Sequence, residues 1–522
     1  MNYRKHVQAK ETPQTEPVVG INQIENNAGG FVFALDNWKR LDRFLILGSE
    51  GGTYYVGEKE LTKDNAKAVL ECIKLDGART VNRIVEISDS GRAPKNDPAL
   101  FALAMCAGLG NVETKKAALE ALSKVARIGT HLFHFVEYVE GFRGWGRGLR
   151  NVIADWYNSK EIGDLAYQVI KYQQRDGWSN RDLLRLSHPK TDDEIRNNLY
   201  KWIIGKNPLK GLPKLIEAFE EAKIAENNDT VIGLIQAGLP REAIPTKWLN
   251  EPSIWDALLQ NMPLTALIRN LGKMTSIELL KPMSKAVELV VKKLSDKDYI
   301  KKSRLHPLAI LIALKQYETG HGDKGKLMWN PVAKIVDALD SAFYLAFDNV
   351  EPTGKRIMLA LDVSGSMSSP FGGTNVSCCE GASAMALITA KSESNYMIIR
   401  FNKGIETIPV SPRQRLDDVL EYTRSINCDG TDCALPMIYA LKNNIEIDAF
   451  CVYTDSETWA GKIHPFQALQ KYRREMGIMA KLIVIGMTST GFTIANPNDA
   501  GMMDVVGFDS ATPQIISDLI QN

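Results

Sequence analysis

The 522-residue chain is defined first by what it lacks. It contains no run of about 18 apolar residues, which excludes a membrane-spanning helix on sequence grounds. Its opening stretch, MNYRKHVQAKETPQTEP, is polar and has no apolar core of the kind that marks a secretory signal, so none is expected. There is no Cys-x-x-Cys pair, and the seven cysteines are odd in number. That usage predicts free thiols, a reducing compartment and a cytoplasmic location. There is no charge excess of either sign, with 63 Lys plus Arg against 62 Asp plus Glu. No G-x-x-x-x-G-K-[ST] phosphate loop occurs, and no G-x-S-x-G nucleophile turn.

What is present is enough chain, at 44% hydrophobic content, for two to four domains with sizeable cores. The balanced total also hides a local imbalance. From Lys355 onward there are 14 basic and 18 acidic residues, whereas residues 141–190 hold 9 basic and 5 acidic. A compact positive surface of this kind suits a polyanion, although a solvated helical face would read the same way.

Patterning divides the chain in three. Residues 1–17 read as a polar, disordered tail. Residues 18–350 read as helices: "PALFALAMCA" (98–107) as a buried helix opened by Pro98, and 112–128 as an amphipathic one with Ala118, Leu119, Leu122, Val125 and Ala126 on one face. Similar patterns recur at 162–173, 213–222, 252–260 and 277–293, and paired helices in series suggest an α-solenoid without a clean repeat. From residue 354 to 522 near-continuous apolar runs, 356–363, 396–401, 448–455 and 481–487, alternate with helical patterns at 380–391, 432–443 and 465–475. Such runs mark strands buried on both faces, hence a doubly wound parallel sheet. The fold class is therefore multidomain, α followed by α/β.

The run "LALDVSGSMSS" (359–369) ends a predicted buried strand on Asp362 and follows it with Ser364 and Ser366. A second strand ends on Asp455, and Thr431 sits in "CDGTD" just before a helix. Ligands of open α/β sheets bind at the carboxyl ends of strands. Two carboxylates and three hydroxyls gathered there form a hard oxygen set suited to a divalent ion, Mg²⁺ in particular, with a coordination position left for an outside acidic group. The bland alternative is a capping Asp with loop serines. The order Ser-Gly-Ser after Val363 does not make a nucleophile turn, and aspartyl-phosphate chemistry would want a carboxylate where Ser364 stands. The arrangement resembles the metal-ion-dependent adhesion site of von Willebrand factor A domains. That resemblance implies Ser364, Ser366 and Thr431 near the metal, with Asp362 and Asp455 direct or through water. No catalytic residues are assigned.

In the basic stretch, Arg143, Arg147 and Arg150 step by four and three, Lys171 and Arg175 are four apart, Arg181 and Arg185 are four apart, and His188 closes the run. Trp145, Tyr172 and Trp178 lie among them. Arginine forks bind phosphates and aromatic faces stack on unpaired bases. Trp156, Tyr157, Trp178, Leu183 and Leu184 fit a core role equally well, with the cations as its wet face. His131 and His134, three apart, lack a third ligand in the sequence and read as satisfied histidines rather than a metal pair.

"GWGRGLRNVIADWYN", "KYQQRDGWSNRDLLRLSHPK" and "MPLTALIRNLGKMT" are similar to the TROVE module of the Ro 60-kDa autoantigen family, and "CDGTDCALPMIYAL" and "AKLIVIGMTSTGFTIANP" to that family's A domain. The resemblance covers nearly the whole chain. It implies a monomeric ring of HEAT-like repeats closed by the A domain. It further implies binding of Y RNA on an outer basic face and of single-stranded 3′ ends of misfolded RNA in the ring, in RNA quality control or stabilisation. By it, Lys171, Arg175 and His188 match Y RNA contact positions. Lys39, Arg40 and Arg43 in "NWKRLDR", with Arg147 and Arg150, are further candidates. Asp176 and Arg181 depart from the family pattern. A metal-dependent adapter, whose A domain clamps an acidic group of a protein or nuclease partner, is the competing reading; it does not need the basic stretch.

Overall fold

The computed structural model describes residues 11–48, 66–93, 95–206, 211–303, 305, 307–322, 326–346, 352–369, 376–423, 430–488, 490–506 and 512–521. They form two compact units. One holds residues 69–91 and 95–346; the other joins the N-terminal residues to 68 with 92–94 and everything from 347 onward.

The N-terminal segment clusters with the sheet-bearing unit. Its strands β1 (Ile24–Glu25) and β2 (Phe31–Ala34) pair antiparallel. Helix Asn37–Leu47 follows, opened by Asp36, whose side chain accepts the Lys39 N–H. Nor are residues 11–17 a loose tail: Gln14 is fully buried, its amide donating to Asp432 (2.8 Å) and to the Ile463 carbonyl (2.9 Å). A buried amide needs partners, and these fix the segment. Residues 1–10 lie outside the described residues, as do 347–351 of the junction expected between residues 350 and 354.

The second unit is helical. Helix Asp97–Leu109 buries every residue from Pro98 to Ala107, as its all-round apolar pattern predicts. The face expected over 112–128 is buried throughout, but two helices share it, Val112–Glu120 and Leu122–Val125. The pattern at 277–293 is only half helical. Helix Leu264–Ser276 ends before Glu278, which adopts a positive φ of 63°. Pro282 cannot continue a helix, and Ser284 caps a new one, Lys285–Leu294. A two-stranded hairpin interrupts the helices, β3 (Gln174–Arg175) and β4 (Trp178–Ser179).

In the first unit a six-stranded sheet is built from β5 (Ile357–Asp362), β6 (Tyr396–Phe401), β7 (Ile405–Thr407), β8 (Ala449–Thr454), β9 (Lys481–Gly486) and β11 (Met502–Val506), in the order β11-β9-β8-β5-β6-β7. All pairings are parallel except that of the edge strand β7. β5 and β8 are buried at every position, which is why both read as unbroken apolar runs. The remaining strand, β10 (Phe492–Thr493), pairs with β2, so the N-terminus is hydrogen-bonded to the C-terminal domain. Phe33 of β2 packs edge-on against Phe466 at 5.3 Å.

Candidate metal centre and nucleic-acid interface

Asp362 is the last residue of β5 and Asp455 the first after its neighbour β8, so adjacent parallel strands deliver both carboxylates to one rim. Asp362 Oδ1 accepts the Ser364 N–H (2.9 Å) and Oδ2 accepts the Thr454 hydroxyl (2.6 Å). The short turn Gly365–Ser368 returns the chain, leaving the Ser364 and Ser366 hydroxyls 3.0 Å apart. Thr431 is buried on the neighbouring loop, and its carbonyl accepts the N–H groups of Trp459 (3.0 Å) and Ala460 (2.9 Å) beyond Asp455. The structure thus brings Asp362, Ser364, Ser366 and Asp455 to one rim, with Thr431 on a loop whose backbone is tied to the segment after Asp455.

Electrostatically the site is short of positive charge. Burial, with Asp455 beside it, pushes the Asp362 carboxyl up to about 7. Burial also raises Asp455. Asp455 Oδ2 is buried with no hydrogen-bond partner among the described residues. Buried carboxylate oxygens without donors are costly, and a small hard cation relieves that cost. The donor set, all oxygen, fits such an ion. Sequence reasoning did not single out Glu457, which stands two residues beyond Asp455; the Asp-Ser-Glu spacing was its only signal. Glu457 is fully buried, and burial followed by the Asp455 charge pushes it to about 7.

The candidate RNA residues of the helical unit lie on consecutive elements. Lys171 ends helix Ile162–Lys171, and its ammonium donates to the Tyr167 hydroxyl (3.1 Å). Burial alone would lower its pKa, but Tyr167, Tyr172 and Glu242 outweigh it and the net shift is upward, so the charge is secure. Arg175 stands exposed on β3. The turn beside it, Asp176-Gly177, has positive φ at both residues (51° and 81°), the conformation of a tight two-residue hairpin. Asp176 pairs with His134, and Trp178 Nε1 donates to Glu137 (2.9 Å), so the hairpin is pinned to helix Gly129–Glu140.

Arg181 and Arg185 are exposed on helix Asn180–Ser187, whose Ser179–Asp182 capping box fixes its start; exposed His188 closes it at φ 49°. Arg147 and Arg150 are exposed in the first turn of helix Arg147–Asn158, which carries no acidic residue there. Arg143 precedes that helix and donates to the Ala107 carbonyl (3.0 Å), so the expected three-arginine face reduces to two. Trp156, Tyr157, Leu183 and Leu184 are core, whereas half-buried Trp178 lies 5.7 Å from Trp145. Arg181 also lines a recess of about 370 Å³ with Gln173, Trp202, Phe219 and Lys223.

Arg43 is not available to RNA. Its side chain is 2% exposed, bound to Asp504 and Thr490 within the sheet unit. Lys39, exposed, and Arg40, half-buried, belong to that same unit, and Lys171 to the helical one. His131 approaches Asn96 (3.4 Å), and His134 has Asp97 (3.6 Å) and Asp176 as partners. No cluster of three or more His, Cys, Asp or Glu suited to a metal occurs among the described residues. The described cysteines are all free. No described helix is long and apolar enough to cross a membrane.

A helical module carrying an exposed basic surface, joined to a doubly wound sheet with an oxygen-rich rim, defines the class: a TROVE domain matches residues 24–231 and 234–316, and a Ro60 vWA domain matches 356–520. The chain is 40% identical to the "RNA-binding protein RO60" of Deinococcus radiodurans, over 99% of this chain and 98% of that one. It is 36% identical to the protein of the same name from Caenorhabditis elegans, over 98% and 92%. The crystal structure of the D. radiodurans RO (RSR) protein superposes with a TM-score of 0.73 at 39% identity, covering 93% of this chain and 99% of that one. The chain belongs to the RO60 family. Both relatives are named as RNA-binding proteins.

Proposed function

We propose that the chain is a cytoplasmic, monomeric RNA-binding protein. In this reading it holds a small structured noncoding RNA of the Y type on the basic surface of its helical unit, takes single-stranded ends of misfolded RNA, and serves RNA quality control or stabilisation. The observation that carries the reading is the placement of Lys171, Arg175, Arg181, Arg185 and His188 on successive elements of one compact unit. Arg147 and Arg150 add to it. Cations at a helix N-terminus oppose the helix dipole and do not stabilise the helix, so a ligand with phosphates is the better account of them. The recess beside Arg181, with Trp202 and Phe219 in its wall, suits an unpaired base. Titrating the full-length protein with a small stem–loop RNA at two salt concentrations tests the reading: affinity falls steeply with salt when phosphate contacts dominate.

The metal rim adds a second binding function. Asp362, Ser364, Ser366, Thr431 and Asp455 would hold Mg²⁺, and the ion would accept an acidic group from a protein or nuclease partner. Asp455's orphaned oxygen supports it. The two functions are compatible on one chain.

A further inference from the structure

We propose that His134 is a positioning residue for RNA binding: it holds the Asp176 carboxylate away from Arg175 and leaves that guanidinium free for a phosphate. The inference rests on the reading that Arg175 meets RNA.

Asp176 directly follows Arg175, the last residue of β3, and opens the hairpin turn at φ 51°. An acid beside a phosphate-binding arginine is a liability, because it competes for the guanidinium and repels the phosphate. His134 occupies that acid. Asp176 Oδ2 accepts a hydrogen bond from His134 Nδ1, whereas Asp176 Oδ1 lies 3.5 Å from Arg175 Nε, beyond hydrogen-bond length. The imidazole is itself fixed. Asp97, at the start of helix Asp97–Leu109, stands 3.6 Å from Nε2, and the ring lies parallel to that of Tyr138, with centroids 6.2 Å apart.

The hairpin has a separate anchor on helix Gly129–Glu140 in the bond from Trp178 to Glu137 (2.9 Å). Its place does not depend on His134 alone. What depends on His134 is the direction of the Asp176 carboxylate. Without the imidazole, Asp176 turns to its other partner, Arg175, and the closed pair shuts out phosphate.

The test measures the affinity of the full-length protein for a small stem–loop RNA, and its salt dependence. His134→Ala should bind roughly tenfold more weakly, the loss of one hydrogen bond to a charged group. The slope of log affinity against log salt should become shallower by about 0.9. In an Arg175→Ala background the same substitution should change affinity by less than about twofold, because the two act through one contact. Adding Asp176→Asn to His134→Ala should restore most of the lost affinity: Asn tolerates the left-handed backbone and carries no charge. An affinity unchanged within about twofold in His134→Ala overturns the proposal. So does a loss of equal size in the Arg175→Ala background, or one that Asp176→Asn does not reverse, since either marks a merely structural role. Absence of RNA binding by the wild type overturns the RNA reading itself and this inference with it.

Discussion

Arg43 and Asp504 meet through two hydrogen bonds of 2.6 and 2.7 Å, both side chains nearly excluded from solvent. One comes from the first helix and the other from the last strand, β11. The guanidinium also reaches the Thr490 hydroxyl (2.7 Å) and carbonyl (3.1 Å). Gly486 of β9 makes the room: a Cβ there would lie 2.6 Å from Arg43 Nη2. Losing one partner leaves a buried charge uncompensated, which costs about 3–5 kcal/mol. Arg43→Ala and Asp504→Ala should each destabilise by that amount in chemical denaturation. Arg43→Met with Asp504→Leu should recover much of it. Equal losses in the single and double variants would remove the pair from the account.

RNA affinity should depend on Lys171 and Arg175 through phosphates. Each contact neutralised removes about 0.9 from the slope of log affinity against log salt for a duplex. The double Ala variant should therefore bind a structured small RNA more weakly and with a shallower slope. Weaker binding at an unchanged slope would assign these side chains to folding instead.

Metal binding should stabilise the sheet unit. At a hundredfold excess over Kd, a ligand specific for the folded state adds about 2.7 kcal/mol. Mg²⁺ should raise the wild-type Tm and chelation reverse it, while Asp362→Ala should show no response to either. A persistent Mg²⁺ response in Asp362→Ala would move the ion elsewhere.

His131 should make stability fall in mild acid. Burial, aided by the charges of Arg127 and His134, lowers its pKa from 6.5 to about 4. The unfolded chain then takes up the proton first as pH falls. This contribution is present above about 6.5 and lost between 6.5 and 4. At pH 5 it amounts to about 2 kcal/mol relative to pH 7. His131→Gln should shrink the measured difference between those pH values by about that much; an unchanged difference would place the acid sensitivity in other groups.

Much of this was legible in the sequence because its signals are local. β5, β6, β8 and β9 announce themselves as apolar runs, and the metal rim follows from which residues end them. β11 was missed because Asp504 interrupts its five residues, and the reason a carboxylate is tolerated there is an arginine in the first helix. The same arginine looked like a nucleic-acid contact in "NWKRLDR", since nothing in that stretch reveals a partner at the other end of the chain. Gln14, Asn26 and Asn27 were hidden for the same reason: their partners, Asp432 and the loop after Asp455, are more than 400 residues away. Exposed cations at regular spacing were readable; the hairpin that presents Arg175 was not, because two two-residue strands leave no periodicity.

The most direct measurement is to isolate the protein from its host and sequence the RNA that accompanies it, beside a Lys171→Ala, Arg175→Ala, His188→Ala variant. The account predicts one abundant small structured RNA with the wild type and its loss with the variant. No enriched RNA, or the same RNA in both, would contradict it.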